Sequence, residues 1–229
     1  MKNKLLWFFT ILPLVVTAFV NRIMPDTIPM HYDASGNINR WGSKNENFIF
    51  PVIIMMMSIF WGFFLFYYKK KQKNAVEEKE RLAAKNNEII FYWVAVGMAI
   101  MFGIMHYTFM YQAYVEANQG LTMAAIDSYI VTNMVAGLFM IFIGNVLPKS
   151  KNNSVAGVRT MWSQYNDQTW AESNRFGGVA SVVTGVLIVI ETLMFGGMMS
   201  TMIMLALLLI FAGVCVWYSY KSYCKHRAE

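Results

Sequence analysis

Residues 48–73 read FIFPVIIMMMSIFWGFFLFYYKKKQK. From Phe48 to Tyr68 no side chain is charged, and three consecutive lysines follow. At about 1.5 Å per residue, a helix over this run covers about 30 Å, the thickness of a hydrocarbon core. Lipid offers the backbone no hydrogen-bond partner, so the run has to be helical. The lysines belong among headgroups or in water. The stretch therefore reads as a membrane span whose cytoplasmic end is marked by Lys69 to Lys73.

Working outward, five more apolar runs of similar length are found. The predicted spans are Leu5 to Ile23, Phe48 to Tyr68, Ile89 to Tyr111, Ser128 to Leu147, Gly177 to Phe195 and Thr201 to Tyr220. Composition agrees with this: 57% of the residues are hydrophobic, 14% are charged, and the mean hydropathy is +0.40. A soluble domain carries about 25% charged residues. The expected fold class is all-α, a polytopic membrane protein of six transmembrane helices. The first run also fits a leader peptide cleaved after Val16-Thr17-Ala18; retaining it keeps the basic clusters on one side.

Basic residues set the orientation. With six spans, 16 of the 19 Lys and Arg fall on one side: Lys2, Lys4, the cluster from Lys69 to Lys85, Lys149, Lys151, Arg159, Arg175, Lys221, Lys225 and Arg227. Arg22, Arg40 and Lys44 fall on the other. The positive-inside rule then places both termini in the cytoplasm. The net charge of +6 follows the membrane and does not point to direct nucleic acid binding. Cys215 and Cys224 have no metal-ligand spacing and read as reduced, structural thiols. No cofactor is expected.

Two loops carry motifs. The outer loop runs MPDTIPMHYDASGNINRWGSK over residues 24–44. Pro25 and Pro29 favour an extended stub, and Asp33-Ala34-Ser35-Gly36 suits a tight turn. Trp41 can return the chain to the membrane surface. The inner loop begins GNVLPK at Gly144 and continues through Gly157-Val158-Arg159-Thr160-Met161-Trp162 to Trp170, Asn174-Arg175 and Gly177-Gly178. Arg159, Trp162, Asn166, Trp170 and Asn174 recur at helical spacing, which predicts an interfacial helix with one aromatic, polar face.

The outer loop resembles the bacterial membrane domain DUF1648, and the inner loop resembles the SdpI family of bacterial immunity membrane proteins. On this reading residues 1–68 form the DUF1648-like region and 69–88 a charged cytoplasmic linker. Residues 89–127 carry the third span and second outer loop, 128–220 the SdpI-like region, and 221–229 a basic tail. The resemblance implies protection against a secreted, membrane-active hydrophobic peptide toxin. In the best-known type it also implies a cytoplasmic repressor held at the membrane. Asn145, Arg159, Trp162, Trp170, Asn174 and Arg175 would form the partner-facing surface.

Depth singles out further residues. His106, Asn133 and Glu191 all fall in the outer third of the membrane, beneath His31, Asp33 and Trp41 of the outer loop. Ionisable groups at such depth usually face the bundle interior or a water-filled cavity. They are expected to line an outward-facing polar pocket. Scattered interhelical hydrogen bonds are the alternative. No nucleophile–base arrangement or metal motif is present, which argues against an enzyme. A small proton-coupled transporter or exporter using Glu191 and His106 is the competing function.

Overall fold

The computed structural model describes residues 3–227. Lys2 of the basic cluster and the last two residues of the basic tail lie outside them. The described elements are α1 (Lys4–Val20), β1 (Thr27–Tyr32), β2 (Ile38–Ser43), α2 (Ile49–Asn74), α3 (Glu78–Gln119), α4 (Ser128–Val146), α5 (Asp167–Phe195) and α6 (Gly197–His226). Five of the helices, α2 to α6, are long and apolar enough to cross a membrane. With 17 residues, α1 is shorter and equally apolar. The chain is a polytopic, all-α membrane protein with one small hairpin.

The helices form two halves. In the first, α1, α2 and α3 pack on one another; in the second, α4, α5 and α6 do. The halves meet along α3 and α4, where Gly97 receives the rings of Phe139 and Phe142. One end of the molecule carries the hairpin, the 120–127 loop and the turn at Gly196-Gly197. The opposite, basic end carries the start of α1, the end of α6, the 75–77 break and the 147–166 loop.

Side-chain hydrogen bonds join the helices of the first half, where an unpaired polar group is costly; the buried Tyr107 hydroxyl of α3 has no partner among the described residues. The Thr10 and Ser58 hydroxyls meet at 2.7 Å, joining α1 to α2. Thr17 donates to the Pro13 carbonyl at 2.7 Å and lies 2.7 Å from Nε2 of His106 on α3. With the Thr17 proton so committed, the His106 Nε2–H is the donor in that pair. Asn21 donates to the Lys44 carbonyl at 3.1 Å, so α1 runs beside α2 and α3 as far as the hairpin end.

The second half depends on a glycine seam. Gly137 and Gly144 on α4 face Gly185 and Gly178 on α5. A β-carbon on Gly144 would stand 2.5 Å from the Gly178 carbonyl oxygen, and one on Gly185 2.5 Å from that of Gly137. Small residues at this spacing let two backbones approach closely where lipid supplies no hydrophobic drive between helices. Ser181 lies between them and donates to the Met140 carbonyl at 2.7 Å.

At the basic end the connecting segments are partly helical and partly irregular. The charged segment 69–88 is almost wholly helical: α2 continues to Asn74, α3 begins at Glu78, and α3 runs unbroken across residues 88 and 89. Its hydropathy falls there, but its helix-forming residues do not stop. The predicted helix from Arg159 to Arg175 forms only from Asp167. Before it the chain turns irregularly. Gly157 adopts φ +129°, which a side chain would oppose, and a β-carbon there would stand 2.5 Å from the Asn174 side-chain oxygen. Asn166 then caps α5 by accepting from the Thr169 amide at 2.8 Å.

Filling the seam should be costly. Gly144→Leu and Gly185→Leu are expected to lose about 1–3 kcal/mol each, or to fail to assemble. Gly213→Ala, where nothing lies within 4 Å of the added carbon, is expected to stay within about 0.5 kcal/mol of the parent. Thermal unfolding in detergent micelles reads the difference.

Candidate functional site

The hairpin is built by its own residues and then fastened to α3. Thr27 pairs opposite Ser43 and Pro29 opposite Trp41. Asp33 closes the turn by accepting from the Ser35 and Asn37 amides, both at 2.9 Å, and from the Asn37 side chain. The Asn37 side chain, with these amides, holds the Asp33 carboxyl below the usual carboxylate range. Ile28 is fully buried and packs with Met24 against Met110 and Ala113 of α3. The 120–127 loop adds to the hairpin, with the Ala124 amide donating to the Gly36 carbonyl at 2.8 Å.

Glu116 is the polar anchor of this end. It is fully buried. Its carboxylate accepts from the Tyr32 hydroxyl at 2.6 Å, the Gln112 side chain at 2.8 Å and the Ala125 amide at 2.7 Å. Burial, and then Glu116, push the Tyr32 hydroxyl well above its ordinary value, so it stays protonated and donates. A buried carboxylate with three donors satisfies the condition for keeping a charge out of water. Hydropathy ends the third span at Tyr111, so sequence reasoning missed Glu116. The signal was present in Gln112 and Glu116, one helical turn apart on a helix that had not yet met a breaker.

Between hairpin, α3 and the start of α4 and α6 lies a cavity of about 640 Å³. Its walls carry Met30, Met110, Met123 and Met198, with Phe50 and Phe109. His31 lines it from β1 and His106 from α3. His106 is buried and stacks on Phe50 with ring centres 5.9 Å apart. Glu46 and Asp127 are the lining carboxylates, and no lysine or arginine lines it among the described residues. The volume lies within the range of small-ligand sites. Methionine walls adapt to irregular apolar shapes.

The expected polar pocket is thus only half assembled. His31 and His106 reach the cavity; Asn133 and Glu191 do not. Asn133 donates to Ser200 at 2.7 Å and to Thr201 at 3.1 Å, holding α4 to α6. Glu191 is buried and accepts from Thr192 at 3.2 Å through one oxygen, while its other oxygen has no partner among the described residues. Neither residue lines the cavity, and Asn133 is committed to α6. Asp33 belongs to the turn rather than to the cavity wall. Trp41 stays 44% exposed on β2 and does not line this cavity.

At the basic end the predicted partner residues divide into two groups. Trp170 donates to the Ser150 carbonyl at 3.0 Å, and the Asn174 oxygen accepts from the Val158 amide at 2.8 Å. Both are buried and hold the loop in place. Trp162 is half-buried against Tyr220, with ring centres 5.0 Å apart. Asn145, Arg159 and Arg175 are exposed. Asn87 of α3 accepts from the Lys151 amide at 2.8 Å and so ties the first half to this loop. Nearby, Glu172 of α5 gathers three donors from α6: Lys225 at 2.7 Å, Ser222 at 2.9 Å and the His226 ring at 3.1 Å.

Comparison with known proteins matches both ends. Residues 8–55 match the domain of unknown function DUF1648, and residues 149–219 match the SdpI/YfhL protein family. The chain is also similar to the immunity protein SdpI of Bacillus subtilis (strain 168), at 29% identity over 96 residues. That alignment covers 42% of this chain and 46% of the relative, so the chain spans about half of that protein's length. No solved structure matches.

Two outcomes follow from these contacts. Tyr32→Phe removes a charge-assisted hydrogen bond worth about 1.5–3 kcal/mol. Hydrogen exchange of residues 28–40 should speed up while the helix cores are unchanged. At the other end, the Lys225 contact, with those of His226 and Ser222, holds the Glu172 carboxyl at about 2, below its ordinary 4.5. A carboxyl depressed on folding stabilises above its unfolded value and loses that contribution as pH falls towards the folded one. Exchange protection at residues 222–227, taken relative to the intrinsic rate at each pH, should therefore fall between about pH 4.5 and pH 2, and Glu172→Gln should abolish that step.

Proposed function

Because the chain carries a DUF1648 domain followed by an SdpI/YfhL-family domain, we propose that it is an immunity protein of the bacterial cytoplasmic membrane. It protects against a secreted, membrane-active peptide by binding an apolar segment of that peptide in the cavity beneath the hairpin. All six helices cross the membrane, with both termini and the basic end in the cytoplasm. The pairing of α1 with α2 and α3, from Thr10–Ser58 through Thr17–His106 to Asn21–Lys44, supports counting α1 among them.

The cavity is the observation that carries this reading. Its methionine and phenylalanine walls suit an apolar chain. Glu46 and Asp127, with no lining lysine or arginine among the described residues, favour a neutral or cationic segment over an acidic one. Its position beside α3, below the hairpin and opposite the basic end, supports contact with a peptide that partitions into the outer leaflet. The role is binding rather than catalysis. At the cytoplasmic end, exposed Arg159 and Arg175 are the proposed contacts for a repressor. Signalling across the membrane then requires two arrangements of the halves with different affinity for the peptide.

Filling the cavity tests the proposal. Met123→Trp with Met198→Trp occupies it from residues that are themselves exposed. In a strain sensitive to a secreted membrane-active peptide, the parent chain should raise the inhibitory concentration. The filled variant, at equal membrane level, should lose about tenfold of that protection. Phe63→Trp, on the exposed face of α2, should retain it. Full protection by the filled variant would overturn the cavity as the binding site.

A further inference from the structure

The basic end carries a second cleft that the immunity reading does not use. It lies between the last turns of α2 and the first turns of α3 and has a volume of about 750 Å³. Lys69 and Lys73 enter it from α2, one helical turn apart; Arg81 and Lys85 enter from α3, also one turn apart. Like charges at this spacing destabilise each helix. Two such pairs facing one cleft compound the repulsion.

Neutralisation from within the chain is incomplete. Glu88 is the one lining carboxylate, 3.7 Å from Lys69 and accepting from Gln72 at 2.6 Å. Arg81 pairs with Glu78, in the first turn of α3, at 2.6 Å. Lys73 and Lys85 form no ion pair among the described residues, and both are exposed. Lys70, Lys71, Lys79, Glu77 and Glu80 flank the cleft without lining it. An anion entering the cleft therefore meets two uncommitted ammonium groups, with Lys69 and Arg81 beside them.

Position decides which anion. Tyr67 and Tyr68, at the end of the apolar run, mark the membrane interface. Lys73 stands only about 8 Å further along α2, a distance comparable to one headgroup layer. Leu82 lines the same cleft and is 53% exposed; Val76, at the nearby break between the helices, is 98% exposed. Apolar side chains beside such a concentration of charge suit a ligand that is part phosphate and part hydrocarbon.

We propose that this cleft binds the phosphate headgroup of an acidic phospholipid between Lys73 and Lys85. The lipid supplies the missing counter-charge and fixes the ends of α2 and α3 at the membrane surface.

The test uses the full chain purified in detergent, titrated separately with phosphatidylglycerol, phosphatidylcholine and inorganic pyrophosphate, with bound ligand counted by native mass spectrometry. Phosphatidylglycerol should bind in preference to phosphatidylcholine. The double variant Lys73→Gln, Lys85→Gln should weaken it roughly 30-fold. Lys70→Gln with Lys71→Gln should change it less than about threefold. Both pairs are exposed, and unchanged thermal unfolding checks that the variants fold. Equal binding of the two lipids, or undiminished phosphatidylglycerol binding by the Lys73, Lys85 variant, would overturn the site. Pyrophosphate binding that needs Lys73 and Lys85, with no phosphatidylglycerol preference, would overturn the lipid assignment in favour of a soluble phosphate.

Discussion

Backbone amides at the basic end have to be satisfied where the irregular 150–158 segment is pressed against the helix ends, and side chains do it. Asn153 accepts from the Val155 and Ala156 amides at 2.7 and 2.9 Å. Asn174 accepts from Val158, and Trp170 donates to Ser150. Asn87 reaches across from α3 to take the Lys151 amide. Buried amides left without partners cost about 1–3 kcal/mol each, so this set holds together as a unit. It pins the two halves of the molecule at one end. The glycine seam keeps α4 and α5 rigid above it, and the space between the halves is left at the far end, under the hairpin.

That asymmetry gives the molecule its functional character. One end is closed by short, directional hydrogen bonds from asparagine and tryptophan. The other is bounded by methionine and phenylalanine side chains that repack at low cost. Glu116 keeps the open end from collapsing or fraying by holding hairpin, α3 and the 120–127 loop to one carboxylate. A peptide entering the cavity would therefore meet a firm frame with adaptable walls.

Much of this could be read from residue order, and the failures have physical causes. Apolar length and basic clustering located the helices. Position along a helix was readable, and His106 lies on the cavity wall. Azimuth was not, because it depends on which neighbour a helix packs against; Asn133 and Glu191 were assigned to a cavity that they do not line. The spacing from Arg159 to Asn174 matches a helix, but Gly157 and the Asn166 cap overrule it locally. Trp170 and Asn174 stand out in the sequence as a motif, and in the fold their work is structural. Asn145, Arg159 and Arg175 are the residues of that motif that stay exposed.

On the proposed function, an apolar peptide occupies the space between the halves rather than the lipid-facing surface. Placing a photoreactive phenylalanine analogue at Phe109, on the cavity wall, and in a separate variant at Phe63, on the exposed face of α2, tests it directly. On illumination with a membrane-active peptide that the proposed immunity would cover, a covalent adduct is expected at position 109 and little at position 63. Equal labelling at the two positions, or labelling at position 63 alone, would contradict it.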